Sequence, residues 1–494
     1  MKKVLCLVLA LMMVVPLVTS CRKDGSVGET AGEAVTAEDD RFAGIRYNGR
    51  SLHIQNSIDQ ATAAMTSSNA YIEGAEELTG DAALDSVIRR NDSVEELLDV
   101  DLVFSPVAYN YGDVPAEMRQ LVLSGDTTYQ LIINDIWGCM PLTAEGIFRN
   151  VASGGSVFDF SEPWWYDDFM SDISLDTDRI SCLAGDFFLD HLRNTHCLVM
   201  NKTVYSDLYG DPDAVYQSVL DDDWTIDDYN RLADGAYLDL DGDGEVGPND
   251  QFGSIGHTMW SCCIPWLIAG DPGYIERDED GHPVLTVDNE NSYTLVEKLC
   301  HLYASDATVF TPDDDGAPTV KFASGQALFL LGSRLGSLES GGLRGMEADL
   351  AVLHYPKRDD TQATYVSAIH DTTEIGFIPA TVGDADMPFL STVIEVLCRE
   401  TNRQVLPVYY ESSLKIKYTR DKLSGQMIDI IHDHYGSGFA LTWSVSLGDY
   451  LLYSTLYNCI AENSTHLASK LKSQKKQANA KLAALIEQVE RLEN

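Results

Sequence analysis

The sequence predicts an α/β protein made of two successive regions, and three observations carry this. From residue 50 onward, short apolar strand signals alternate with amphipathic helical stripes, the pattern of a sheet covered by helices. A Gly/Ser break at residues 153–156 separates two stretches that each show the alternation. The chain has 494 residues, 45% of them hydrophobic, enough for two domains with substantial cores.

The elements follow in order. Arg50 to Ile54 predicts a first strand. Residues 81–98 place Leu84, Val87, Ile88, Val94, Leu97 and Leu98 on one helical stripe. Val100 to Val107 is a second strand, Met118 to Leu123 a helix closed by Gly125-Asp126, and Tyr129 to Ile133 a buried strand. Beyond the break, ISCLAGD (180–186) reads as strand and turn, and CLVMNK (197–202) as another strand. Thr225 and Asp228 stand at the N-cap and N3 positions of a helix reaching about Ala236. Residues 286–304 predict a helix capped by Asp288, Val320 to Phe329 a strand, and Leu350 to Leu353 a strand stopped by Pro356. In the tail, 464–494, Ala478, Leu482, Leu485, Val489 and Leu492 follow heptad spacing for barely two heptads. That favours a helix docked on its own protein over a coiled-coil partner surface.

Charge narrows the partners. The chain carries 77 acidic against 34 basic residues, a formal charge of −43. It is −45 without residues 1–20, which hold two lysines and no acid. Nucleic acid is excluded, because binding it needs Lys and Arg on phosphates. At the N-terminus, Lys2 and Lys3 precede an apolar run from Val4 to Val18, and Val18-Thr19-Ser20 stands before Cys21. This reads as a secretory signal, too short for an ordinary membrane span. The small residues before Cys21 resemble the lipoprotein box, in which that cysteine is lipidated and anchors the chain to the bilayer. Residues 21–41 then form a polar tether, and the protein sits on the extracytoplasmic face of the membrane. Eight cysteines lie beyond Cys21. Cys182 and Cys197 are candidates for a disulfide in such a compartment, and buried free thiols are the alternative.

Residues 239–250 read D-x-D-x-D-G-x5-D. Ca²⁺ takes six to eight oxygens. Asp239, Asp241 and Asp243 supply positions 1, 3 and 5, Glu245 a backbone carbonyl at 7, and Asp250 the last position, where sensors carry Glu. No helical stripe follows Asp250, and no second loop pairs with this one. The expectation is a structural Ca²⁺ staple rather than a sensor.

Several tryptophans stand beside turn residues: Trp137, Trp164, Trp165, Trp260, Trp266 and Trp443. An indole face with a polar N–H suits the apolar face of a sugar ring, and Asp135, Asp186 and Asp271 lie close in sequence to accept hydroxyls. For any single tryptophan ordinary packing is the simpler reading; for the group, at least two are expected to line a pocket. Enzyme motifs are missing: there is no GxSxG, HExxH, Walker loop or GxGxxG opening a helix. His432 and His434 lack an obvious third metal ligand.

Taken in order, YQLIINDIWG, FSEPWW, ISCLAGDFFL with CLVMNK, DDWTIDDYNRLA, PWLIAGDPGY, FASGQALFLL, LRGMEADLAVLHYPK and EIGFIPATVGD resemble the lipid-anchored extracellular solute-binding proteins of bacterial ABC importers. The likeness is to the sugar-binding, maltose-type group and runs from about residue 46 to 460. It implies a periplasmic-binding-protein-like (type II) clamshell, α/β in class, with strands crossing a hinge. The first lobe would be 46–150 plus 370–406, the second 151–369 plus 407–460, followed by the C-terminal helix. It implies no catalysis, and delivery of a captured sugar or oligosaccharide to a permease. Trp266, Trp443 and Trp137 would stack on the guest, and Asp135, Asp186 and Asp271 would orient it. The alternatives are an adhesion protein using the calcium loop, and a binder of a non-sugar solute such as a peptide.

Overall fold

A computed structural model describes residues 41–59, 68–109, 111–311, 317–339, 341–418, 421–436 and 438–492. The expected signal segment, the lipidation site Cys21 and nearly all of the tether lie outside these residues. Gly44 onward forms one compact unit.

Two sheets organise it. The first contains β1 (Arg50–Asp59), β2 (Val100–Tyr109) and β3 (Leu131–Asp135). β1 runs parallel to both neighbours, with Leu52 opposite Leu102 and Ile54 opposite Leu131. Parallel neighbours require crossovers, which the helices Ala82–Leu98 and Val114–Leu123 supply. Asp81 opens the first of these by accepting the Ala83 and Leu84 amides. Asp99, in the left-handed region at φ 52°, closes it.

The second sheet contains β4 (Leu198–Asn201) and β5 (Phe252–Gly256). A hairpin of β6 (Ile275–Arg277) and β7 (Pro283–Leu285) stands apart from it. β8 (Thr308–Phe310), β9 (Ala327–Leu330) and β10 (Leu350–Leu353) complete the second sheet in the order β10-β4-β9-β5-β8. β11 (Glu374–Phe377) returns to the first sheet, antiparallel to β3, with Gly376 opposite Ile133. Buried Val199, Ile255, Leu330 and Val352 form a core with Tyr409, Ile428 and Ile431; burying each such aliphatic side chain contributes roughly 1.5–3 kcal/mol.

The chain passes between the sheets in segments lying side by side. Leu183 pairs with Gly376 through two backbone hydrogen bonds, of 2.8 and 2.9 Å, and the His196 amide donates to the Ala368 carbonyl at 2.8 Å. A third passage is the helix Met387–Glu400, which continues as π-helical turns over Thr401–Val405.

The structure revises three expectations and decides between the two readings of the cysteines. Residues 180–186 are an extended crossing with isolated bridges at Leu183 and Gly185, not a sheet strand. The helix expected from 286 begins at Glu290: Asn289 caps it by accepting the Ser292 amide, while Asp288 accepts the Tyr293 hydroxyl. Residues 320–323 belong to the helix Ala317–Ala323, ended by Gly325 at φ 84°, so only Ala327–Leu330 is strand. Cys182 and Cys197 are separate buried thiols, as are the other six described cysteines.

The tail forms the helix Leu467–Glu490 with Leu471, Ala478, Leu482 and Val489 buried against the protein. Lys475 reaches Asp288 at 3.4 Å, and His282 of the β6–β7 hairpin faces Glu490 at 3.8 Å.

Candidate functional site

In open α/β sheets, ligands bind beyond the carboxyl ends of the strands. β3 ends at Asp135, which caps the next helix by accepting the Gly138 amide at 2.6 Å. This puts Trp137 in the first helical turn, half-buried, its backbone N–H 3.3 Å from the Asp371 carbonyl. Asp371 lies on the returning crossing with His370, whose Nδ1 is 3.0 Å from the Asp371 carboxylate. The His370 and His196 rings are 5.5 Å apart. Next to His196, by a bridge, is Arg334, just past the end of β9 and bound through Nη1 to Asn194 Oδ1 at 2.9 Å. A polar strip thus joins the end of β3 to the end of β9.

Burial, then His370 and Arg334, hold His196 well below the usual imidazole range. Its ring is neutral, with Nδ1 3.2 Å from the Ser333 carbonyl. Burial also lowers Arg334, opposed by Asp190 and Asp371. His196 and Arg334 are buried, at 3% and 9% exposure, while His370 and Asp371 are half-buried; imidazole and carboxylate in that half-buried pair have both donors and acceptors for a hydroxylated guest.

β5, beside β9, ends at Gly256 and leads through His257 and Thr258 into the helix Met259–Ala269; Thr258 caps it by accepting the Ser261 amide. Trp260, in its first turn, is half-buried and meets Tyr453 and Tyr457 edge-on, each with centroids 4.9 Å away. Those two tyrosines stack at 5.3 Å, and Tyr453 is 45% exposed. This aromatic group is the partly open apolar surface at the strand ends.

Several nominated residues sit elsewhere. Trp266 has no exposed area, its ring between Tyr229 and Tyr355 at 4.6 and 5.0 Å. The helix Met259–Ala269 explains this: Trp266 lies nearly two turns inward from Trp260, on the core face. Asp271 is exposed beyond the far end of that helix, about 16 Å along its axis from Trp260; its carbonyl accepts from Arg358 at 2.9 Å. Trp443 is fully buried, and its indole N–H donates to the Ile173 carbonyl at 2.7 Å. Asp186 is 1% exposed, with one oxygen accepting the Tyr166 hydroxyl at 2.9 Å and the other the Asn402 amide at 2.8 Å. Trp266, Trp443 and Asp186 are therefore structural residues, and Asp271 lies beyond the other end of the helix from Trp260. Of the six, Asp135 and Trp137 stand at the strand ends. Sequence reading noted Trp260 beside a turn without nominating it. Arg334, His196 and His370 gave no local signal, because crossings distant in sequence bring them together.

In the 239–250 loop, the carboxylates of Asp239, Asp241 and Asp243 converge within 4.8 Å. Glu245 is exposed, its amide bound to Asp243. Asp250 is outside that group: it is fully buried and accepts the Leu240 and Gly247 amides and the Tyr237 hydroxyl. Three converging carboxylates suit a hard cation, but the fourth braces the loop internally, which departs from the expected ligand set.

No protein-family profile matches the sequence, and no curated protein matches it. Solved structures do. A cyclic α-maltosyl-1,6-maltose binding protein from Arthrobacter globiformis aligns with 88% of this chain and all of its own, at 14% identity and TM-score 0.54. An ABC transporter solute-binding protein from Thermotoga lettingae, bound with α-D-tagatose, gives the same coverages at 10% identity and TM-score 0.53. One from Agrobacterium radiobacter in complex with ribitol gives 11% and 0.52, again over 88% and 100%. The fold is thus that of the two-lobed, type II solute-binding proteins. Among the described residues, no helix is long and apolar enough to cross a membrane.

Proposed function

We propose that this chain is the solute-binding component of an ABC importer, tethered through Cys21 outside the membrane, which captures a sugar or oligosaccharide and hands it to a permease. Two observations carry the reading: the end of β3, the crossings and the segment after β9 gather polar side chains in one strip, and the end of β5, the strand beside β9, bears partly open aromatic rings. Trp260 and Tyr453 would stack on the apolar sugar face, Trp137 would flank the guest, and Arg334, His370 and Asp371 would bond its hydroxyls. No residue is assigned a chemical step. The likeness to sugar binders supports the reading, and the paired crossings would permit hinge closure.

A panel of mono- and oligosaccharides tested by thermal shift on the purified chain checks this. At least one saccharide should raise the melting midpoint; a panel that leaves it unchanged while peptides raise it would reject the sugar assignment. The 239–250 loop is proposed to hold Ca²⁺ as a staple through Asp239, Asp241, Asp243 and the Glu245 carbonyl, with water completing the shell.

A further inference from the structure

A cavity of about 620 Å³ opens between residues 160–172 and the turn 433–436. It shares no residue with the strand-end strip, and its volume is in the range of small-molecule sites. Its composition has one sign. Glu162, Asp167, Asp168, Asp172 and Asp433 line it, and among the described residues no lysine, arginine or histidine does. Glu162, Asp167 and Asp168 make no side-chain hydrogen bond or ion pair among the described residues. Asp433 leans on His432 at 3.1 Å, and Arg277, behind the wall, is bound to the Ser171 and Asp172 carbonyls.

The walls are aromatic. Phe160, Tyr166 and Tyr435 contribute half-buried rings, and Trp165 and Phe169 back them as buried ones. The array is fixed from behind. The Trp165 indole donates to Glu395 at 3.0 Å, Phe160 meets the Trp165 edge at 5.4 Å, and Tyr166 lies 5.5 Å from Tyr435. The buried His191 ring wedges against Tyr166 and Tyr435 at 4.6 and 4.4 Å. Burial, followed by the neighbouring Asp168, raises Asp167, as expected where two carboxylates adjoin.

Ring faces attract cations through their quadrupole, and aromatic cages suit quaternary ammonium groups, which are weakly hydrated and donate no N–H bonds. Unpaired carboxylates at the rim add long-range attraction without demanding a hydrogen-bond fork. From the rings, the carboxylates and the cavity between them, we infer that this is a second binding site, separate from the strand-end strip, for a small quaternary ammonium ion.

Isothermal titration of the purified chain with choline, beside its neutral isostere 3,3-dimethylbutan-1-ol, tests this. Choline should bind at one saturable site and the neutral alcohol at least about tenfold more weakly. The double variant Asp167→Asn/Asp168→Asn changes two exposed positions, so it should fold normally and keep any saccharide shift. It should weaken choline about tenfold. Trp260→Ala should leave choline binding unchanged. Absence of saturable choline binding, equal binding of the neutral alcohol, indifference to the double variant, or loss in Trp260→Ala would each overturn the assignment. A failed saccharide panel would leave these four readouts unaffected.

Discussion

Asp186 gives a stability prediction whose sign the structure fixes. Its carboxylate is 1% exposed, and burial raises it to about 6 from 3.8, despite hydrogen bonds from Asn402 and Tyr166 and the nearby charge of His432. Between pH 3.8 and about 6 the unfolded chain has lost this proton while the folded chain keeps it. Stability from this group is therefore full below pH 3.8 and is lost as pH rises through about 6. A difference of about two pH units corresponds to roughly 3 kcal/mol by pH 7.5. Asp186→Asn removes the ionisation, accepts the Tyr166 hydroxyl, and can bond Asn402 once that amide turns over. Its stability relative to wild type should rise by roughly 2.5 kcal/mol on going from pH 4 to pH 7.5. Urea unfolding of both proteins at the two pH values measures this from midpoints and slopes. A pH-independent difference, or a variant that loses ground as pH rises, would refute the reasoning.

His191 moves the other way: burial holds it at about 3, so the folded state keeps it neutral while the unfolded state protonates below about 6.5. His191→Phe, which also removes two buried unpartnered nitrogens, should gain about 2 kcal/mol on wild type between pH 7.5 and pH 5 by urea unfolding. Trp443→Phe forfeits the bond to the Ile173 carbonyl and some packing, and should cost about 1–3 kcal/mol in the same assay without changing saccharide affinity. For the loop, millimolar Ca²⁺ should raise the melting midpoint over an EDTA-treated sample, and Asp239→Asn/Asp241→Asn should abolish the difference; equal midpoints in wild type would remove the staple.

What was legible in the sequence was mostly local. The stripe at 82–98, the Thr225 cap, which accepts the Asp228 amide, and the strand Leu350–Leu353 each follow from neighbouring side chains. Where a longer-range competitor acted, the reading slipped. The 180–186 segment has strand composition, yet it pairs only at single bridges because it is a crossing. Asp288 resembles a cap, but Asn289 also ties itself to the Pro272 carbonyl at 2.7 Å and takes that role. The site was less legible still. Trp266 and Trp260 share one helix, and sequence alone does not say which end faces the crevice. Arg334, His196 and His370 lie up to 174 positions apart and meet only because two crossings run together.

The grip of the proposed strand-end site on a saccharide is measured most directly by isothermal titration. The saccharide giving the largest thermal shift would be titrated into wild type and Trp260→Ala. Stacking by the Trp260 indole predicts one saturable site whose affinity falls about tenfold or more in the variant while the fold is kept. Equal affinity in both proteins, or no saturable binding to wild type, would contradict it.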